Sequence, residues 1–387
     1  MDGEDIHEVI RMDIKRLKEW LENVPDPRRD YGNCRHKLID IIVIALCSVL
    51  CGGEGFEDME EFGENREDWL RNFLEIPNGI PSADTFRRVF ARLDSKALLQ
   101  CLYEWLEEAR LYKSGGRLVN IDGKTIRGSS IPEEERPAYH VVSAWVHENE
   151  MVLGQLAVEE KSNEITAIPL LLDRLDIQGD IVTIDAMGCQ KEIASKIRAK
   201  GADYVLSVKD NHPTLHEDIQ DYFEWAKREP DKIKAEHWTG SVEKGHGRIE
   251  RREITAITDV EWLRKAGKWK DLSTIIRYRC TRILKDEKTT CDRFYISSFE
   301  TTPEQFAYLL RNHWSIENRL HWMLDVLFRE DASTIGKGNA PLNLNVLRKT
   351  ALSCLKNTPS PKKVSIRRKM LRASLNLPFL ELVLFRS

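Results

Sequence analysis

The chain has 387 residues, 41% of them hydrophobic and 32% charged, with a formal net charge of −4. That length accommodates two or three domains with cores of their own, and the composition is that of a soluble globular protein. A slightly acidic whole excludes a global basic field, so any nucleic-acid-binding surface must be local.

The opening "MDGEDIHEVIRMDIKRL" is acidic and amphipathic, unlike a secretory leader. Apolar residues recur at helical spacing over 6–23, 37–51, 56–75, 83–93 and 96–111, so residues 1–112 read as an all-helical domain. Its most apolar run, "LIDIIVIALCSVLCGG", is too short to span a bilayer and carries Asp40, which makes it a core helix. "GIPSADTFRRVFARLD" places Arg87, Arg88 and Arg92 on a helix, either as an ordinary solvated face or as one that enters DNA. Eight cysteines are scattered without a CxxC pair, which fits reduced thiols in a cytoplasmic protein better than a zinc site or a disulfide scaffold.

After "YKSGGR" the texture changes. "RLVNID" (117–122) reads as a strand, 139–147 and 151–158 as a hairpin around "ENE", 164–175 as a helix, and "DIVTIDA" (180–186) as a strand. A helix over 189–200, a strand "DYVLSVK" (203–209) and a helix over 213–228 follow. That order predicts an α/β fold, a mixed sheet with helices on its faces. Residues 230–300 are rich in β-branched and aromatic residues and read as a mostly β insertion. A long helix begins near Pro303 and runs through "EQFAYLLRNHWSIENRLHWMLDVLF". The last segment, 353–387, reads as a basic tail: Lys356 to Ser374 carries seven cations and no acid, either to clamp DNA or as a solvated helix.

The chemistry-bearing residues are acids. Asp122 closes the apolar strand in "LVNIDGKTIRGS", with Lys124 and Arg127 close behind, and Asp185 closes "DIVTIDA" before a glycine-containing turn. Acids at strand ends face the edge of the sheet where α/β folds bind ligands. If the two strands are neighbours, the carboxylates lie a few ångströms apart and need a compensating cation. A divalent metal supplies one, and oxygen-only ligands favour magnesium or manganese. On the long helix Glu317, His321 and Asp325 are spaced by four and share a face; Glu317 is the third acid of choice and Asp325 the reserve. Singly, each acid has an ordinary structural explanation as a turn former, helix cap or solvated side chain. Their strand–strand–helix order is what makes a site of them.

Several motifs carry a resemblance: "NIDGKTIRGS", "TIDAMGCQKEIA", "SVKDNHPTL", "HGRIERREI", "YISSFE" and "RNHWSIENRLHWMLDVLFRED", preceded by "VPDPRRDYGNCRHKLIDIIVIALCSVLCGG" and "LEIPNGIPSADTFRRVFARLD". Over about residues 10–350 the chain resembles the insertion-sequence DDE transposases, closest to the branch associated with H-repeat elements. The resemblance implies an RNase H-like catalytic core with a β-rich insertion over residues 113–352, preceded by the all-α N-terminal domain. It implies Asp122, Asp185 and Glu317 as catalytic acids and ligands of Mg2+ or Mn2+; 63 residues separate the first two and 132 the second two. Double-stranded DNA is the implied substrate, cut at element ends and joined to target DNA by a homo-oligomer away from any membrane. A related metal-dependent nuclease without strand transfer and a catalytically silent DNA-binding descendant are the alternatives. For phosphate contacts the candidates are Lys124, Arg127, Lys209, His212, His246, Arg248, Arg252, His313 and His321. The chain departs from a tyrosine–arginine–glutamate–lysine signature of related transposases. Leu310, His313 and Leu324 stand at the tyrosine, arginine and lysine positions, and only the glutamate survives.

Overall fold

The computed structural model describes residues 14–28, 34–109, 116–158, 164–245, 248–263, 269–284, 287–360, 362 and 364–385. The first turns of the helix expected over 6–23 and the candidate His246 lie outside the described residues.

Among the described residues six helices precede the sheet: α1 (14–21), α2 (Leu38–Leu50), α3 (Phe56–Asn65), α4 (Glu67–Leu70), α5 (Ala83–Phe90) and α6 (Ser95–Ala109). The apolar run seen in the sequence becomes α2, buried along almost its whole length, with the Asp40 carboxylate accepting the Ile76 N–H at 3.0 Å. A buried acid is tolerable there because a main-chain donor meets it.

Ten strands among the described residues form one sheet: β1 (Leu118–Thr125), β2 (His140–Val146), β3 (Met151–Val158), β4 (Ile181–Ile184), β5 (Asp203–Val208), β6 (Ala235–Thr239), β7 (Glu243–Gly245), β8 (Arg248–Ile257), β9 (Thr274–Leu284) and β10 (Glu287–Ser297). The order is β3-β2-β1-β4-β5-β10-β9-β8-β6, with β7 also paired to β8. Strands β1, β4 and β5 run parallel, while β2 and β3 add antiparallel at one side and β10 at the other. The β-rich segment is therefore not a separate body. It continues the sheet from β5, whose edge would otherwise be unpaired.

Helices α7 (Glu164–Arg174), α8 (Lys191–Ala199) and α9 (Pro213–Arg228) cover one face, over Val119, Ile121, Val182, Ile184 and Leu206. Alternation along β1 sends Leu118, Asn120 and Asp122 to the other face. There α10 (Pro303–His313) packs through Phe306, Leu309 and Leu310 on Leu118, Val205, Ile254 and Ile276. The single long helix expected from Pro303 is broken. After His313 a wide π turn spans Glu317–His321, and α11 (Trp322–Val326) follows.

The chain ends in α12 (Ala340–Asn357), α13 (Ile366–Leu375) and α14 (Leu377–Phe385). These share one apolar core with α1–α6, with Ile316, Leu320, Leu324 and Phe328, and with Trp145 and Met151 of the sheet. The described residues of the first 112 thus share their core with the end of the chain. Residues 353–387 are not a solvated tail. Lys369 buries its ammonium against the carbonyls of Leu355 and Thr358, each at 2.7 Å, and Lys356 pairs with Glu150 at 3.0 Å. Both cations satisfy or sit near the carbonyl-rich end of α12, where positive charge is favoured. No helix among the described residues is long and apolar enough to cross a membrane.

Candidate active site

Register places the two aspartates together. β1 and β4 pair in parallel up to Ile121 and Ile184, so Asp122 and Asp185 are the next residues on adjacent strands. Asp122 is not at a strand end, as the sequence led us to expect: β1 runs on to Thr125, paired with β2, and Asp122 faces Ser143. What ends at Asp122 is the pairing with β4. The strands part there because Asp185 turns its chain away, Oδ1 accepting the N–H groups of Met187 and Gly188 at 3.1 and 3.3 Å. Gly123 follows Asp122 for a steric reason, since a Cβ at that position would overlap His140 and Glu164.

Asp122 Oδ1 accepts the Gly123 N–H at 2.9 Å, and Oδ2 lies 3.5 Å from His321 Nδ1. Burial pushes the Asp122 carboxyl up to about 7; the Gly123 N–H opposes the rise, and the nearby carboxylates of Asp185, Glu164 and Glu317 add to it. Four acids thus lie within one another's fields. Glu317 is exposed at the head of the π turn, and that turn breaks the expected ladder of fours: Glu317 faces solvent, His321 is buried against Asp122, and Asp325 turns to Lys124 at 2.7 Å. Asp325 is therefore not a spare ligand.

Among the described residues, no group of three or more His, Cys, Asp or Glu side chains is placed to hold a metal ion. The donor set nonetheless fits a hard divalent cation. Carboxylate oxygens are the donors such an ion prefers, and a buried Asp122 whose carboxyl is pushed up by burial and by neighbouring acids is one that a cation would stabilise in its charged form.

The cations behave differently from expectation. Lys124, 11% exposed at its side chain, is spent on Asp325, Glu330 and Asp331 at 2.7, 3.1 and 3.2 Å. It therefore pairs with neither Asp122 nor a surface phosphate. Arg127 is free to meet solvent, 80% exposed and 3.6 Å from Asp331. Lys209 is exposed just beyond β5. His212 stands at the N-cap position of α9 without a side-chain capping bond; its Nε2 meets the Cys189 carbonyl at 2.5 Å and its ring lies edge-on to Trp269. Arg252 is held by Glu243 at 2.9 Å and by Glu250. Arg248 opens β8 opposite Leu284. His313 and His321 are buried, and burial drives them down to about 4 and about 3, so both are neutral imidazoles rather than phosphate-binding cations. On α5, Arg87 is engaged by Glu57 and Asp84.

Four residues of the neighbourhood escaped the sequence. Glu164 is held by His140 at 2.6 Å, and His140 in turn meets Thr125 at 2.9 Å. Glu330 is fully buried among Lys124, Asn345 and Arg348. Lys349 reaches from α12 to Ser143 and Gln155 at 2.8 and 2.6 Å, and burial lowers it to about 7. Thr183 joins His313 to Asn120. Glu330, in "FRED", and Thr183, which opens "TIDAMGCQKEIA", lay inside motifs already singled out, but neither was read as part of the site.

Two family models match, "DDE_Tnp_1-associated" over residues 18–106 and "Transposase DDE domain" over 113–354. The chain is 39% identical over 380 residues to "Putative transposase YncI" of Escherichia coli O157:H7, covering 96% of this chain and 95% of that protein. It is 38% identical over 381 residues to "H repeat-associated putative transposase YhhI" of Escherichia coli strain K12, covering 96% and 98%. A shorter relative from that strain, "Inactive transposase YbfQ", is 41% identical over 81 residues, 21% of this chain and 95% of its own length. A strand pair that brings two aspartates side by side, and a matching family model over most of the chain, lead to one conclusion: the chain belongs to the DDE transposases, in their H-repeat-associated branch.

Proposed function

We propose that the chain is a DNA transposase that cuts at element ends and joins the freed end to target DNA, with Asp122, Asp185 and Glu317 as its catalytic acids. The observation that carries this reading is the adjacency of Asp122 and Asp185 beyond the last β1–β4 pair, where burial, with the neighbouring acids adding to it, pushes the Asp122 carboxyl up to about 7. The acids would hold Mg2+ or Mn2+, which when bound supplies the positive charge that activates an attacking oxygen and stabilises a departing one. Asp185, fixed by two main-chain N–H groups on Oδ1, keeps Oδ2 for that role. Glu317 approaches from the π turn and, being exposed, can settle onto the site as DNA arrives. Arg127 and Lys209 would position backbone phosphates. Attack by water cuts the strand; attack by a DNA 3′-hydroxyl at the same acids joins it, so no covalent protein–DNA intermediate is required. Paired ends call for a homo-oligomer on double-stranded DNA.

The test uses the full chain, Mg2+, DNA carrying the sequences that flank its reading frame, and a target plasmid. Nicked ends and joined products that disappear in Asp122→Asn and Asp185→Asn are expected. Cleavage unchanged by either substitution overturns the site. Nicking without joining assigns the chain to the nucleases, and binding without metal-dependent cleavage assigns it to the silent descendants.

A further inference from the structure

Beneath the acids runs a buried chain of hydrogen bonds whose direction is fixed at one end. The Asn312 carbonyl, near the end of α10, can only accept, and it takes Asn120 Nδ2–H at 2.9 Å. Asn120 Oδ1 is then the acceptor, and it receives the Thr183 hydroxyl at 2.7 Å. That hydroxyl has a single hydrogen, so towards His313, 2.9 Å away, its oxygen accepts from Nδ1–H. The chain leaves α10 at Asn312 and returns to it at His313. Every member's side chain or carbonyl is directed, and Asn120, Thr183 and His313 are 0%, 2% and 8% exposed.

The spacing of these residues gives the chain its meaning. Asn120 and Thr183 are register partners on β1 and β4. Each stands two residues before one of the aspartates; Asn120 and Asp122 share a face of β1, and Asp185 follows directly on the end of β4. His313 stands four residues before Glu317. One closed loop of bonds therefore joins the two strands that lead to the aspartates with the end of α10, two residues before each aspartate and four residues before Glu317 in the π turn that follows.

We infer that His313 is a positioning residue: through Thr183 and Asn120 it locks β1, β4 and the end of α10 together and so sets Asp122, Asp185 and Glu317 relative to one another. It rests on the proposed active site and assigns His313 a role other than phosphate binding. Apolar packing alone fixes α10 on the sheet less sharply, because Phe306, Leu309 and Leu310 can slide over Val205 and Ile276 whereas a directed chain of three bonds has one register. The conflict-free assignment of every donor and acceptor is what distinguishes this chain from chance polar burial.

The test is Mn2+ binding to the full chain without DNA, titrated by electron paramagnetic resonance, beside metal-free melting. Thr183→Val, which removes one hydroxyl at nearly constant shape, and His313→Leu should each weaken Mn2+ binding by about 10–100-fold, the range found when the supports of ligating side chains are lost. The double variant should be little weaker than the weaker single one, because both break one chain. His313→Asn, whose amide nitrogen stands where Nδ1 stands, should bind Mn2+ within about threefold of the parent. Should His313→Leu fail to fold, Thr183→Val and His313→Asn decide the matter. Thr183→Val with Mn2+ affinity within about threefold of the parent overturns the inference, as does a loss in His313→Asn as large as in His313→Leu. If Asp122→Asn and Asp185→Asn also leave Mn2+ binding unchanged, the active-site reading itself has failed; if they abolish it, only the role of His313 has.

Discussion

Two groups of acids lie along β1, two residues apart and on the same face, and they have been treated in opposite ways. At Asp122, the carboxylates of Asp185, Glu164 and Glu317 crowd in with only His321, a neutral imidazole, against Oδ2. At Lys124, three acids converge on one ammonium, and the most buried of them, Glu330, also receives Asn345 at 2.8 Å with Arg348 at 3.7 Å. Burial works to raise Glu330, but Lys124, Arg348 and the Asn345 amide outweigh it and hold its carboxyl low. Among the described residues Asp122 pairs with no Lys or Arg, whereas the second group is compensated within the protein. Unbalanced acids mark where something from outside is to bind, and balanced ones mark where the fold is fastened.

That contrast breaks most visibly at Glu330. Replacing one partner of a buried ionic network leaves the others uncompensated, at a cost of about 3–5 kcal/mol. Glu330→Gln should therefore lower the stability of the metal-free protein by about that amount in urea unfolding, and Lys124→Met in the same background should cost less than it does alone. A Glu330→Gln protein as stable as its parent would show that Lys124, Arg348 and Asn345 do not depend on that carboxylate.

Asp122→Asn should do the reverse. Its folded carboxyl lies at about 7, above its ordinary 3.8, so the folded state holds this proton more tightly than the unfolded state. The stabilisation is complete below about pH 4 and is lost as pH rises through about 7. Metal-free protein should thus lose stability across that window, by at most about 4 kcal/mol from this group, and Asp122→Asn should flatten the loss. Mn2+ or Mg2+ should restore stability above pH 7, where the acid no longer has to release a proton to bind it. Equal pH profiles for the variant and its parent would place the acid cluster's strain somewhere other than Asp122.

How much of this was legible in the sequence follows from which forces act locally. Strand β4 and helices α7 to α9 were readable because alternation, helical spacing and Pro213 act within a few residues. The adjacency of Asp122 and Asp185 was only conditional in the sequence, which left open whether the two apolar strands are neighbours; the parallel pairing of β1 with β4 supplies it. The destination of a charge did not. Lys124 follows Asp122 by two residues yet bonds to acids 201 to 207 positions away, and Lys369, in a segment read as either a DNA clamp or a solvated helix, is buried against carbonyls at the end of α12. The π turn had no signal either, since "ENRLH" has the composition of an ordinary helix, and one extra residue per turn was enough to separate Glu317 from His321 and Asp325.

The smallest expected effect separates the two cations that follow Asp122. Lys124 is 11% exposed and Arg127 80% exposed, so the first belongs to the balanced cluster and the second to the surface around the acids. Each phosphate neutralised by a cation contributes about one to the dependence of log affinity on log salt concentration. Arg127→Ala should therefore weaken DNA binding, reduce that slope by about one and leave the urea midpoint where it was, because a lone exposed pair with Asp331 at 3.6 Å adds little to stability. Lys124→Met should move the urea midpoint and leave the slope alone. Both cations sit within five residues of Asp122, so distance along the chain cannot separate these outcomes; only burial and pairing can. An unchanged slope in Arg127→Ala would remove it from the DNA-facing surface, and a changed slope in Lys124→Met would mean that the ionic cluster opens when DNA binds.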